Sequence, residues 1–387
     1  MALSGLSEER SELGRSLLAR GAMAPEWMDS FLAVPRAAFL PEVIWPFDID
    51  SGTHVTVDLS EEPGLWSSYA DADVPIVTQW DDGATSGGSV RVPTSSASMP
   101  SVVFRMLRDL DVQQGHKVLE IGTGTGWNAG LLTHRLGRDN VVSIEIDPAV
   151  ADTARDRLAA HGLLGLVITR DGALGDPQGA PYDRIIATAG IRRIPAAWLE
   201  QLRPGGLIVA PWGTHFSNAD AIVRLSAQEG GAGGRFTGPV EFMKLRSQRR
   251  PFEGHTAYEP RTADAEKTTT EVTEPELLGE GRFDSRTFAL GLRVQDCYQV
   301  AAATRDGARP VWFYGLEDRS WACVMFRDGG ETTVWQSGPR RLWEEMTRAL
   351  RWWQETDEPG YERLGLTVTS DGGQRAWLDS PEDSWQL

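Results

Sequence analysis

Residues 117–132 read KVLEIGTGTGWNAGLL: a short apolar strand, three alternating glycines and the start of a helix. A strand that turns through glycine directly into a helix opens a β-α crossover, and the surrounding chain repeats that rhythm. SMPSVVFRMLRDL reads as a helix, KVLEI as a strand, NAGLLTHRL as a helix, VVSIEI as a strand and AVADTARDRLAAHG as a helix. LVITR and DRIIATA follow as strands, IPAAWLEQL as a helix and LIVAPW as a strand. Alternation of this kind over residues 98–227 predicts an α/β fold with a doubly wound, mostly parallel, Rossmann-like sheet. Right-handed crossovers then place a ligand beyond the carboxyl ends of the strands.

Gly122, Gly124 and Gly126 stand where missing β-carbons let a ligand approach the backbone and let strand and helix pack closely. A tight structural turn is the competing reading of the glycines alone. Glu145 ends the next strand, 19 residues after Gly126, where an acid accepts hydrogen bonds from ribose hydroxyls. Asp171, in RDGA after the third strand, is placed to meet an adenine amino group; either acid could instead be a solvated strand end. The spacing is G-x-G-x-G, followed by Trp127 and Asn128, and departs from the G-x-G-x-x-G of a pyrophosphate site. S-adenosylmethionine (SAM), with ribose and adenine but no phosphate, suits this turn better.

Elsewhere the text is less regular. Residues 1–50 read as helices ending in FLAVPRAAFLPEVIW, with stops at Pro35 and Pro41. Residues 51–97 are polar and read as a long loop, which inside a domain is functional or disordered. GGAGGRFTG reads as a turn or linker, and VEFMKLR after it as strand-like. Beyond residue 250 short β-like runs (VWFYGL, WACVMF, TTVWQ) precede one helix, PRRLWEEMTRALRWWQE, and then LGLTVTS and RAWLD, predicting an α+β appendage. It holds 8 of the 15 tryptophans. Five or six of those eight are expected in a core. The resulting division is 1–97 (N-terminal helices and a substrate-side loop), 98–248 (core) and 249–387 (appendage, expected to recognise peptide).

A formal charge of −17 disfavours nucleic acid and anionic membranes as partners. No apolar run approaches a membrane span, and the first residues lack a signal-peptide layout, so the cytoplasm is expected. Scattered histidines give no metal site, and Cys297 and Cys323 are expected to be buried small apolar residues.

VLEIGTGTGWNAGLL, VVSIEIDP, RDG, APYDRIIATAG and IPAAWLEQLRPGGLIVAPWG resemble, in order and spacing, the protein-L-isoaspartate O-methyltransferase family. FLAVPRAAFLP is similar to that family's N-terminal signature. The resemblance covers about residues 10–248 and implies a SAM-dependent methyltransferase core that methylates a peptide carboxylate. It places Glu145 on ribose, Asp171 and Gly172 on the adenine side, and Gly122, Gly124 and Gly126 beneath the methionine moiety. Glu120, Thr123, Asn128 and Ile146 complete the implied cofactor set. Where the family has T-I-S-A-P-H-M, this chain has SASMPSV, which puts Ser98 on the catalytic hydroxyl and Ser101 in place of the histidine. Ser98 also reads as a helix N-cap. The extra residues QWDDGATSGGSVRVPTSS suggest a rebuilt acceptor site, with Gln79, Trp80, Asp81, Asp82 and Ser96 as candidate substrate contacts, though the four of the loop could instead be merely solvated.

DVPIVTQWDDG, GPVEFMKLRSQRR, FALGLRV and LGLTVT resemble a branch of the family encoded with ATP-grasp ligases, the methyltransferases of graspetides. Those are ribosomal peptides crosslinked through acidic side chains. That likeness implies methylation of an aspartate in a crosslinked precursor, followed by closure to an aspartimide, with the ligase as a pathway partner. It also implies an appendage that repair enzymes lack. General isoaspartate repair is the alternative, and the core motifs do not separate the two.

Overall fold

The computed structural model describes residues 8–84, 91–258, 260–279, 281–327 and 329–387. The first seven residues and residues 85–90 of the polar stretch lie outside them. One ten-stranded sheet organises the molecule. Its parallel half runs Leu166–Thr169, Val141–Glu145, Val118–Ile121, Tyr182–Ala187, Leu202–Trp212 across the sheet. Val118–Ile121 is central: the chain first adds strands on one side of it and then on the other, which opens a crevice at its carboxyl end. The expected strands and helices of residues 98–212 are all present.

Side chains alternate across the sheet. Val118 points to a core built with helices Pro100–Leu110, Trp127–Leu136, Pro148–Ala160 and the N-terminal helices. Leu119 and Ile121 point to the opposite core, which includes Trp198, Phe288, Met346 and Trp353. Besides Ala196–Gln201, which carries Trp198, the helices on that second face are Ser285–Arg293 and Leu342–Glu355 from beyond residue 250. In the latter, Leu342, Trp343, Met346, Ala349, Leu350 and Trp353 are buried at helical spacing, which explains the docked face.

Four expectations are corrected. VIWPFD is a strand, Val43–Asp48, and not the end of a helical segment. Residues 51–97 are not one loop: Thr53–His54, Val57–Asp58, Ile76–Trp80 and Pro93–Ala97 join it in a five-stranded sheet, with helix Pro63–Ala70 alongside. The segment reads as polar because it buries only a small core around Ile44, Val57, Trp66, Ile76 and Ala97. GGAGGRFTG is no linker but an interior strand, Gly231–Val240, between Asp220–Gln228 and Leu364–Thr369. A β-carbon at Gly231 or Gly234 would lie 1.9 Å from a carbonyl oxygen of the neighbouring strand, Val368 or Arg224. These glycines serve close backbone approach. After Val240 the expected strand VEFMKLR stops. Its Lys244 makes a single parallel bridge to Gly190, and the chain crosses the strand ends into the turn Arg246–Gln248.

Leu364–Thr369, Gln374–Leu378 and Ser384–Gln386 extend the main sheet, so the C-terminal region shares both sheet and core with the rest. Its remaining strands form a second antiparallel sheet ordered Glu266–Thr270, Thr332–Ser337, Trp321–Arg327, Ala308–Gly315, Cys297–Ala301. Trp321, Trp343, Trp353 and Trp377 are buried, while Trp312, Trp335, Trp352 and Trp385 are half-buried, fewer core tryptophans than expected. Both cysteines are buried and unpaired, and burial pushes each thiol up to about 12. Among the described residues no helix is long and apolar enough to cross a membrane.

Candidate active site

A cleft of about 950 Å³ opens at the carboxyl end of Val118–Ile121. One wall is the glycine turn, where Gly122, Gly124 and Gly126 all have left-handed backbone (φ 95°, 55° and 94°). Main-chain N–H groups of Gly122 and Thr123 donate to the Ile144 carbonyl at 2.8 and 3.1 Å, and that of Gly126 to the Thr123 carbonyl at 2.9 Å. The Gly124 N–H donates to Glu145 Oε2 at 2.9 Å. With these donors used inside the turn, it offers little to a pyrophosphate.

Glu145 is fixed at both oxygens, since Oε1 accepts from the Asp147 N–H at 3.1 Å. Glu120 lies beneath the cleft, fully buried, accepting from Ser143 Oγ at 2.6 Å and Asn128 Nδ2 at 2.7 Å. Desolvation pushes its carboxyl up to about 7, against the pull of those two donors, and the nearby Glu145 adds to the rise. Ser143 Oγ also meets Thr123 Oγ1 at 2.6 Å. Asn128 Oδ1 is buried in the cleft wall with no protein partner. An unpaired acceptor there suits an ammonium group, and Glu145 suits a ribose, so the residues fit SAM.

The opposite wall is Thr94 to Ser98, the last strand of the N-terminal sheet. It abuts the turn: a β-carbon at Gly124 would stand 3.5 Å from the Ser96 carbonyl oxygen. Ser98 is not a helix cap. The N-cap of Pro100–Leu110 is Met99, without a side-chain bond, and the Ser101 N–H donates instead to Asp73 Oδ1 at 2.8 Å. Ser98 therefore faces the cleft with its hydroxyl free of capping.

The sequence candidates divide in space. Ser98, Gly122, Thr123, Gly124, Asn128, Glu145, Ile146, Gly172, Gln79 and Ser96 line the cleft together. Gly126 instead packs helix on helix, where a β-carbon would meet Ala154 at 3.3 Å and Phe39 at 3.4 Å. The Asp171 carboxylate caps the turn Gly172–Leu174, accepting from the Ala173 N–H at 2.9 Å, and takes a 3.1 Å bond from Ser247 Oγ. Trp80 is buried against Trp45 and His54, with Arg91 over its ring, and Asp81 accepts from the Val92 N–H at 2.8 Å. Both build the hairpin and stand off the cleft.

Sequence reasoning missed the cationic side of the site. Lys244, Arg246 and Arg249 line the cleft from the segment that crosses the strand ends. Lys244 Nζ pairs at 2.5 Å with Asp220, a fully buried carboxylate whose other oxygen holds Arg192 at 2.7 Å. KLRSQRR, a basic run in a chain with only three lysines among 38 basic residues, was the available signal. Arg36 was also missed; it lies inside FLAVPRAAFLP.

The family described as Protein-L-isoaspartate(D-aspartate) O-methyltransferase (PCMT) matches residues 67–250. A protein-L-isoaspartate O-methyltransferase of Ignicoccus hospitalis is 34% identical over 209 residues, 53% of this chain and 82% of that protein. One from Anaeromyxobacter dehalogenans is 38% identical over 203 residues, 51% of this chain and 85% of that protein. A solved structure described as a protein-L-isoaspartate O-methyltransferase shares the fold at TM-score 0.53 and 19% identity, over 96% of this chain and 100% of that one. Fold, cleft and likeness define a SAM-dependent methyltransferase with a Rossmann-like core. More narrowly, the chain belongs to the protein-L-isoaspartate(D-aspartate) O-methyltransferase family. The 96% coverage takes in the C-terminal region.

Proposed function

We propose that this chain transfers a methyl group from SAM to an aspartate-derived carboxylate of a peptide, with the isoaspartyl carboxylate as the acceptor its relatives support best. The observation that carries this is the abutment of two walls: the turn bonded to Glu145 and the strand Pro93–Ala97 with Ser98 directly after it share one cleft.

The chemistry asks for alignment more than for a base. A carboxylate is ionised at neutral pH and already nucleophilic. SAM supplies, when bound, an electrophilic methyl on a sulfonium. Glu145 and Asn128 hold the donor side, and the Ser98 hydroxyl donates to an acceptor oxygen and fixes its approach. Excluding water and holding the reacting atoms in line lower the barrier by several kcal/mol, at best about 7–11. The ester formed is activated beside a backbone amide, whose nitrogen attacks it and expels methanol to close a succinimide. The enzyme needs no further group for that step.

A second reading is favoured by one observation. The segment that resembles the graspetide branch, DVPIVTQWDDG, forms the strand and turn behind the acceptor wall, and its Gln79 lines the cleft. On this reading the acceptor is an aspartate in a crosslinked ribosomal peptide supplied by an ATP-grasp ligase, and the C-terminal region contributes to peptide recognition. Mass spectrometry of three peptides incubated with enzyme and SAM separates the readings. A generic isoaspartyl peptide, a linear acid-rich precursor and its crosslinked form are compared for a methyl gain followed by methanol loss. Turnover of the isoaspartyl peptide supports repair chemistry. Turnover of the crosslinked form alone supports biosynthesis, and turnover of none overturns both.

A further inference from the structure

Among the cations lining the cleft, Lys244 is committed to the buried Asp220, whereas Arg246 and Arg249 converge on a carboxylate that water can reach. Arg249 Nη1 donates to both oxygens of Asp82, at 3.2 and 3.3 Å. Arg246 Nη2 reaches Asp82 Oδ1 at 3.0 Å and Asp147 Oδ2 at 2.9 Å. The Asp82 side chain is 45% exposed and that of Arg249 30%.

Asp82 is delivered there at a conformational cost. Asp81 and Asp82 are consecutive non-glycine residues in left-handed backbone, φ 50° and 53°. Each such residue costs roughly 1–2 kcal/mol. The turn is held by the Asp82 N–H on Thr94 Oγ1 at 3.0 Å and by Asp81 on the Val92 N–H. None of these bonds needs the Asp82 carboxylate, whose described partners are the two arginines. The protein thus carries a solvent-reachable carboxylate of its own on a cationic patch in the lining of its cleft. It does so in a chain of net charge −17, which otherwise repels acidic peptides.

We infer that Arg246 and Arg249 form a specificity subsite for a second carboxylate of the substrate, one not methylated, and that Asp82 is its internal occupant. A peptide whose free acidic side chain lies near the reacting residue displaces Asp82 and takes the arginine pair. Selectivity for acidic sequence context then comes from an exchange of carboxylates, which spares the free enzyme an Arg249 without a carboxylate partner while Arg246 keeps Asp147. The inference rests on the proposed peptide carboxyl methylation for its substrate class, but the subsite is testable by binding alone.

The experiment uses the full chain and isoaspartyl peptides that differ by one glutamate or glutamine, placed at each position within four residues of the acceptor. Affinity is read by fluorescence anisotropy and methyl transfer by mass spectrometry, and each enzyme is scored by its acid-over-amide ratio. Wild type should prefer the acid by about fivefold at the best position. Arg249→Gln should bring the ratio to about one, Arg249→Lys should keep part of it, and Asp82→Asn should raise it severalfold. Opposite signs for Arg249→Gln and Asp82→Asn are the signature, because a purely structural strap moves both variants alike and leaves the ratio unchanged. Equal ratios in all variants, or a wild-type ratio of one at every position, overturn the subsite. Binding with the expected ratios but no methyl transfer to any peptide overturns the proposed reaction and leaves the subsite standing.

Discussion

Arg36 holds Ser98 by its main chain: the guanidinium Nη2 donates to the Ser98 carbonyl at 3.0 Å. The same group reaches the carbonyls of Ala97 at 2.9 Å and Val74 at 2.8 Å, and Nη1 that of Ala72 at 3.2 Å. Arg36 is buried, and desolvation pulls its pKa down to about 9, opposed by Asp73 and Asp71. One side chain from the N-terminal segment therefore ties the end of strand Pro93–Ala97 and Ser98 to the loop before strand Ile76–Trp80.

Arg36→Met should leave four carbonyls without their donor and lower unfolding free energy by about 3 kcal/mol in urea titration. Arg36→Lys keeps a charge but not the planar fork, so it should recover stability only in part. Turnover of the lysine variant should fall about tenfold or more, while calorimetric affinity for SAM stays within about twofold, since Arg36 grips the acceptor strand and not the Glu145 edge. Equal losses in affinity and turnover would place Arg36 in general folding and not in acceptor positioning.

Ser98→Ala removes a hydroxyl that caps nothing. Its melting temperature should therefore match wild type within about a degree, where loss of a true N-cap would cost about 1 kcal/mol. Methyl transfer should drop by about 10²-fold, as for removal of one aligned donor. An unchanged kcat would remove Ser98 from the acceptor site.

How much of this was legible follows from where each signal lives. The strands and helices of the core are written locally, in apolar periodicity and in Gly122-x-Gly124, and so are Glu145 and the place of Ser98. Arg36 acts through partners tens of residues away, so no local pattern announces it, and the pairing of Arg249 with Asp82 across 167 residues is likewise invisible in either segment alone. Gly231–Val240 was misread because glycine weighs against a strand until its neighbours, Arg224 and Val368, are known to press on it. The Asp171 cap and the Trp80 anchor show the converse: residue types that suit a site were consumed by local structure.

Glu120 makes stability depend on pH. Burial raises its pKa from 4.5 to about 7, so the folded chain holds this proton more tightly than the unfolded one. The contribution is fully present below about pH 4.5 and is lost as pH rises through about 7, amounting to about 3 kcal/mol. Glu120→Gln keeps shape and one acceptor without ionising. Relative to wild type, its unfolding free energy should therefore gain about 3 kcal/mol between pH 4.5 and pH 8 in parallel denaturant titrations. A constant difference across that window would mean that Glu120 is ionised throughout in the folded state.

The C-terminal region should prove inseparable from the core. Leu364–Thr369 pairs with Gly231–Val240 from Gly231–Thr369 to Arg235–Gly365, and Phe288 packs at 4.8 Å from Phe236 and 6.4 Å from Trp212. Removing residues 251–387 would expose a glycine-rich strand edge together with the apolar face that Ser285–Arg293 and Leu342–Glu355 cover, both of which invite aggregation. The truncated chain should be recovered insoluble or as large oligomers by size-exclusion chromatography. The full chain should unfold in one transition by calorimetry, because a shared core cannot melt in halves. A soluble, monomeric fragment that still binds SAM would show that the core closes without its C-terminal helices, and would recast the region as a detachable reader of peptide.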